Sequence, residues 1–464
     1  MFALGPKEAE SYLSFSYFLK YAAGVEVPIP VLYGPPRIGK SEVVKRSFVT
    51  FVRAVAKDIV EKDFLGLFEE GSKELKERHA SLSNVIATGN KQLIAEALEE
   101  VDEETMFIAT SFSLADKCDN DPSCSNLHRI ISTINSKKVN EFYEKVVLTR
   151  AFVPTKDGLK AWEEGVMYYK DQLNVDEYDN KFVYVELHAS ELSEEDLEGM
   201  NVIKENFFTK VPPKWASALS VSLAGLLHIE NATVLPWNAL SKLLDVLITK
   251  RIGMCEFGKL SVLSGPDPSY AEVTLIPSYV SSGNLEYVRV RAPTVREWKE
   301  QLDDEGEEWA EEVYYFLQVT SPNHGEGVKY EELRGVVEEV SKRVKSYDTF
   351  LPPPEVVKEF ENRFTPYPTP KAWKALAKAL AVSKAEVAPL AFSYLGDESV
   401  AELFVEFVGN YAEALSAPEK LKELASSKDL AARVALAALT FRALEGDEEV
   451  KKLLEEAGIE VSSK

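Results

Sequence analysis

The chain has 464 residues, 45% of them hydrophobic and 28% charged, with a formal net charge of −23. At a typical ~100–200 residues per domain, that length holds two to four soluble globular domains. So large an acidic excess repels a polyanion over most of the surface, and no Lys/Arg-rich block offsets it, so nucleic acid is not an expected partner.

The first residues, MFALGPKEAESY, show no basic region, apolar signal core or cleavage site. Residues 7–24 read as an amphipathic helix, and 27–33 (VPIPVLY) as a short strand. Pro28 and Pro30 argue against a central place for that strand, which leaves Val31-Leu32-Tyr33 to pair. A helix is expected from Lys40 to about Lys62. Between 63 and 180 the pattern predicts helices at 69–79, 91–100 and 157–173 and strands at Met106–Phe112 and Val146–Phe152. Cys118, Cys124 and His128 offer three metal ligands. The spacing is not a standard zinc pattern and lacks a fourth ligand, and a Cys118–Cys124 disulfide is the alternative.

Further on, Lys181–Ser190 alternates like a strand, and Val221–Glu230 reads as a buried strand ending in an acid. A helix over 238–251 and strands over 259–264 and 285–291 follow. From Thr294 the chain is mostly helical, broken at Leu351-Pro-Pro-Pro354 and Pro366–Pro370. The most apolar run, Trp215–Ile229, contains Ser217, Ser220 and Ser222 and falls short of the roughly 20 residues a spanning helix needs. A cytoplasmic protein without a membrane segment is expected. His228 reads as a packed core residue. Tyr314, Tyr315 and Phe316 read as helical-core packing, and the acids of Glu191–Glu198 and Asp303–Glu312 as solvated surface.

One motif carries chemistry directly. Gly34-Pro35-Pro36-Arg37-Ile38-Gly39-Lys40-Ser41 fits G-x-x-x-x-G-K-[ST] completely, between an expected strand and an expected helix. In such a loop the glycines let backbone N–H groups turn toward a phosphate, and the helix N-terminus adds partial positive charge. Lys40 is expected at the β- and γ-phosphates and Ser41 on Mg²⁺, with ATP the nucleotide. The expected binding set is Gly34 to Ser41 together with Glu42.

Several further segments, in order, resemble the MoxR-type branch of the AAA+ ATPases. They are Val185-Glu-Leu-His-Ala-Ser190 through Asp196-Leu-Glu-Gly199, Gly225-Leu-Leu-His-Ile-Glu230-Asn231 through Pro236, and Ile248-Thr-Lys-Arg251-Ile-Gly253. Pro368-Thr-Pro370-Lys371-Ala-Trp373 is similar to the family's lid signature, and the tail from Leu395 to its C-terminal helices. The resemblance covers about residues 1–50 and 181–445. It implies an α/β fold with a P-loop NTPase (AAA+) parallel sheet core flanked by helices, split as 1–62 and 181–293. An inserted α/β segment at 63–180 and an all-helical lid and C-terminal domain at 294–464 complete it. It also implies a homo- or hetero-oligomeric ring that acts on a protein partner, in some members one with a von Willebrand factor A domain.

The departures from the family pattern fall in catalysis. The resemblance implies Mg²⁺ at Ser41 and Glu230, but the acid that would polarise water is Asn231. An amide cannot take a proton, and general-base help is typically worth ~10²–10⁴-fold. The sensor asparagine is absent from Leu263-Ser-Gly-Pro266-Asp267, and Gly283 stands where an arginine finger is expected. Lys371 replaces the lid arginine, keeping charge but losing the bidentate fork. The implied function is an ATP-binding scaffold, regulator or chaperone-type subunit with weak or absent hydrolysis. The alternatives are an active remodelling ATPase, with Glu230, Glu186 or acids of the insertion as substitute groups, and an interaction module working through residues 63–180.

Overall fold

The computed structural model describes residues 3–61, 166–204, 207–274, 282–344, 348–363, 365–383, 386–459 and 461. The elements expected at 69–79, 91–100, 106–112 and 146–152, the Cys118–Cys124–His128 group and residues 276–281 lie outside the described residues. The chain divides into two compact units, residues 1–34 with 40–291, and residues 35–39 with 292–464.

The first unit is an α/β layer structure. Its strands are β1 (Ala3–Leu4), β2 (Ile29–Gly34), β3 (Val166–Tyr168), β4 (Phe182–His188), β7 (Ala224–Glu230), β10 (Leu260–Pro266) and β11 (Leu285–Val290). They form one seven-stranded sheet in the order β1-β11-β2-β10-β7-β4-β3, with every neighbouring pair parallel. Two small antiparallel hairpins stand apart from it, β5 (Met200–Lys204) with β6 (Phe207–Val211) and β8 (Arg251–Ile252) with β9 (Cys255–Glu256).

Parallel strands covered on both faces read as near-continuous apolar runs, and β7 (AGLLHIE) and β10 (LSVLSGP) do so. Helices α1 (Pro6–Tyr21) and α2 (Lys40–Glu61) cover one face, where Phe48 meets Tyr184 and Phe51 meets Phe182. A short helix α3 (Glu194–Glu198) follows β4; its glutamates are exposed, and Lys242 bridges Glu194 and Glu198. Helices α4 (Lys214–Val221) and α5 (Trp237–Thr249) cover the other face. There Trp215, Leu219, Leu243 and Leu247 pack with Val31, Val185, Ile229 and Leu263, each side chain worth about 1.5–3 kcal/mol when fully buried.

Three expectations need correction. First, β2 is central, between β10 and β11, despite Pro30. The N–H of Ile29 donates toward β11, at the carbonyl of Asn284, so the missing donor of Pro30 falls on the β10 side. The register with β10 starts at Val31, opposite Leu263, so β2 pairs centrally through its proline-free end. Second, the helix expected over 157–173 is overturned at Val166–Tyr168, which is β3, paired in register with Phe182–Tyr184. A long-range parallel pairing, with Tyr168 edge-on to Tyr184, overrides the local helical spacing. Third, the apolar run expected as one strand from Val221 is cut by the end of α4, and the strand starts at Ala224. His228 is fully buried and Cys255 is a half-buried free thiol.

The second unit is helical over its described residues from Ala292 on: α6 (Val295–Asp304), α7 (Glu312–Thr320), α8 (Glu331–Arg343), α9 (Pro354–Asn362) and α10 (Pro370–Val382), then α11 (Val387–Leu395), α12 (Glu398–Ser416), α13 (Pro418–Ser426), α14 (Leu430–Leu444) and α15 (Glu448–Glu456). Thr294 caps α6 with Glu297 in a capping box. One apolar core joins these helices around Phe316, Trp373, Phe404 and Phe407. Among the described residues no helix is long and apolar enough to cross a membrane.

Candidate functional site

The loop after β2 alternates in backbone handedness. Arg37 and Gly39 have φ of 56° and 94°, so left-handed residues alternate with Ile38, which buries its side chain. Alternation of that kind turns successive N–H groups to one side. Gly39 supplies its conformation without strain, whereas Arg37 holds a left-handed one as a non-glycine residue. Pro35 and Pro36 are half-buried and Arg37 is exposed. The Arg37 guanidinium lies 5.2 Å from the Tyr367 ring centre, and its carbonyl accepts from the N–H of Lys371 at 3.3 Å. Lys371 itself is an exposed residue in the first turn of α10, beside the Thr369 cap.

Lys40 begins α2, and its ammonium donates to the carbonyl of Gly34 at 3.1 Å. The same carbonyl accepts from the N–H of Asp267 at 2.9 Å, which ties the end of β10 to the start of the loop. Burial pushes the Lys40 ammonium down to about 8, against the opposing pull of Glu230 and Asp267. Burial also opposes ionisation of Asp267, but the Ser269 N–H and hydroxyl and Arg289 outweigh it and hold its carboxyl below the usual range. Glu42 is turned to Arg46, one helical turn away at 3.4 Å.

Ser41 and Glu230 are 189 positions apart, yet the serine hydroxyl donates to Glu230 Oε1 at 2.7 Å. Two neighbouring ligands of one Mg²⁺, each at ~2.1 Å, sit about 3 Å apart. The pair therefore fits a shared ion with little movement. Asn231, the next residue, is exposed and left-handed, with φ 59° and ψ 27°. Asparagine tolerates that conformation better than glutamate does. Gly283 lies just before β11, where Asn284 accepts from Ile29, so it stands at the N-terminal end of the sheet. Lys40 and Ser41 follow the C-terminal end of β2.

A second set of side chains meets Glu230. His188 Nδ1 lies 2.9 Å from Glu230 Oε2, because the register sets these two residues opposite each other. Two positions back on β4, Glu186 accepts from the Tyr184 hydroxyl at 2.8 Å and lies 3.5 Å from His228 Nδ1. The far nitrogen of His228 meets Ser264 Oγ at 2.9 Å. The bond with His228, joined by that of Tyr184, outweighs partial burial and holds Glu186 down to about 2. Burial and the neighbouring Glu186 charge push the Tyr184 phenol far up. His188 and the buried Tyr184–His228–Ser264 chain were not among the residues expected to act. The signal available was the alternation Tyr184, Glu186, His188 along one strand face.

No family model matches the chain, and no curated protein matches it.

Proposed function

We propose that this protein binds MgATP at Gly34–Ser41 and turns it over weakly or not at all, acting as a MoxR-like AAA+ scaffold, regulator or chaperone-type subunit. The observation that carries the reading is the hydrogen bond between Ser41 and Glu230, which joins the two groups that one nucleotide-bound Mg²⁺ would need. Bound there, the ion would offset charge on the β- and γ-phosphates. Lys40 adds a fixed cation, and the loop N–H groups add donors. None of these groups removes a proton from water.

The residues beside the expected phosphate position support weak turnover. Asn231 cannot act as a base. Glu186, a further carboxylate beside Glu230's strand, has its proton affinity lowered to about 2 and its Oε2 engaged by Tyr184 and His228. A carboxylate that acidic is a poor general base at neutral pH. Ring assembly and a protein partner, including one with a von Willebrand factor A domain, belong to the same proposal through the motif resemblance.

Calorimetric titration with ATP, with and without Mg²⁺, tests it. Wild type is expected to bind ATP more tightly with Mg²⁺, and Ser41→Ala to lose most of that difference. Absence of ATP binding by wild type would refute the reading.

A further inference from the structure

Glu186, His188 and Glu230 form a cluster whose candidate ligand atoms all lie within 4.8 Å of one another. Its construction follows from the sheet. Residues two apart on a strand project from one face, so Glu186 and His188 share a side of β4, and the register sets Glu230 of β7 beside them. Strand backbones hold donor positions more tightly than loops do.

The surroundings are those of oriented ligands. Glu186 is fixed by the Tyr184 hydroxyl and faces His228, which is itself held by Ser264 in the buried interior. Outer partners of this kind set ligand orientation and contribute to affinity. The three side chains are 36%, 45% and 27% exposed, in chain order, so an ion can reach them. Two carboxylates and a neutral imidazole balance a dication. Mg²⁺ favours all-oxygen sites, whereas an imidazole with carboxylates suits Mn²⁺, Fe²⁺ or Zn²⁺.

We propose that Glu186, His188 and Glu230 bind a first-row divalent transition-metal ion. His188 ligates through Nδ1, exchanging its present contact with Glu230 Oε2 for the metal, with its proton carried on Nε2. Glu230 thus presents Oε2 to this ion and Oε1 to Ser41. The proposal goes beyond the nucleotide reading and is tested without nucleotide, so either can fail alone.

The test is a Mn²⁺ titration of the full chain in excess Mg²⁺, followed by electron paramagnetic resonance. One bound Mn²⁺ is expected, with spin-echo modulation from a directly coordinated ¹⁴N. His188→Ala should remove the modulation and weaken Mn²⁺ at least about tenfold. The nitrogen signature is read on wild type, so it does not depend on how a variant folds. Failure to bind Mn²⁺, binding without ¹⁴N modulation, or ready displacement by Mg²⁺ would each overturn the proposal.

Discussion

The stretch Gly34–Ser41 and the edge where β4 and β7 end are built differently. Gly34, Lys40 and Ser41 come from one contiguous stretch that matches its motif at every position. Glu186, His188 and Glu230 come from two strands brought together by register, with Asn231 just after the second. On the proposed reading, binding and turnover rest on separable sets of groups. A sequence can keep the first intact while the second changes its chemistry.

The largest effect expected on the binding side comes from Lys40→Ala. It removes a cation that spans to Gly34 and would face the phosphates. Loss of a hydrogen bond to a charged group costs about 1.5–3 kcal/mol, so ATP affinity should fall roughly 10–100-fold. Titration with a fluorescent ATP analogue reads this directly. Unchanged binding would break the comparison, because the loop would no longer be the binding element.

Next in size is a pH effect. The Lys40 ammonium loses its proton near 8 in the free protein, and a bound triphosphate would raise that value. Binding then takes up a proton in alkaline solution. Affinity should be level below pH 8 and fall by up to about tenfold per pH unit just above it. In Lys40→Ala the same slope should vanish.

The smallest effect sharpens the other side. Asn231→Glu restores a carboxylate but puts a less tolerant residue in a left-handed conformation, so it should cost about 1 kcal/mol of stability. Phosphate release should rise by less than about tenfold, because the sensor asparagine and the finger arginine remain absent. Denaturant unfolding and a release assay measure the two effects. A full recovery of turnover would show that the strand edge lacks only one group.

The two regions also differ in how legible they were. The loop is local, so eight adjacent residues announced it. The alternation at Lys181–Ser190, the apolar run ending at Glu230 and the segment 259–264 marked strands for the same reason. Strand order was not legible, and neither was the register that sets His188 opposite Glu230, since both follow from packing across the whole unit. Pro30 misled because β2 pairs with β10 through its proline-free end, Val31 to Gly34, and that register is set by packing across the unit. β3 was hidden because three residues carry too little pattern to compete with a helical neighbourhood. Asn231 was read as a lost acid. The backbone adds a second reason for its presence, because the turn after β7 is left-handed at that residue.

The central claim is tested most directly by measuring ATP binding and phosphate release on the same preparation of wild-type protein, alone, with Mg²⁺. The account predicts saturable binding that depends on Lys40, with release slower than that of an active ATPase of the resembled family by the ~10²–10⁴-fold that a missing base accounts for. Robust release by the protein alone, abolished by Lys40→Ala, would contradict it.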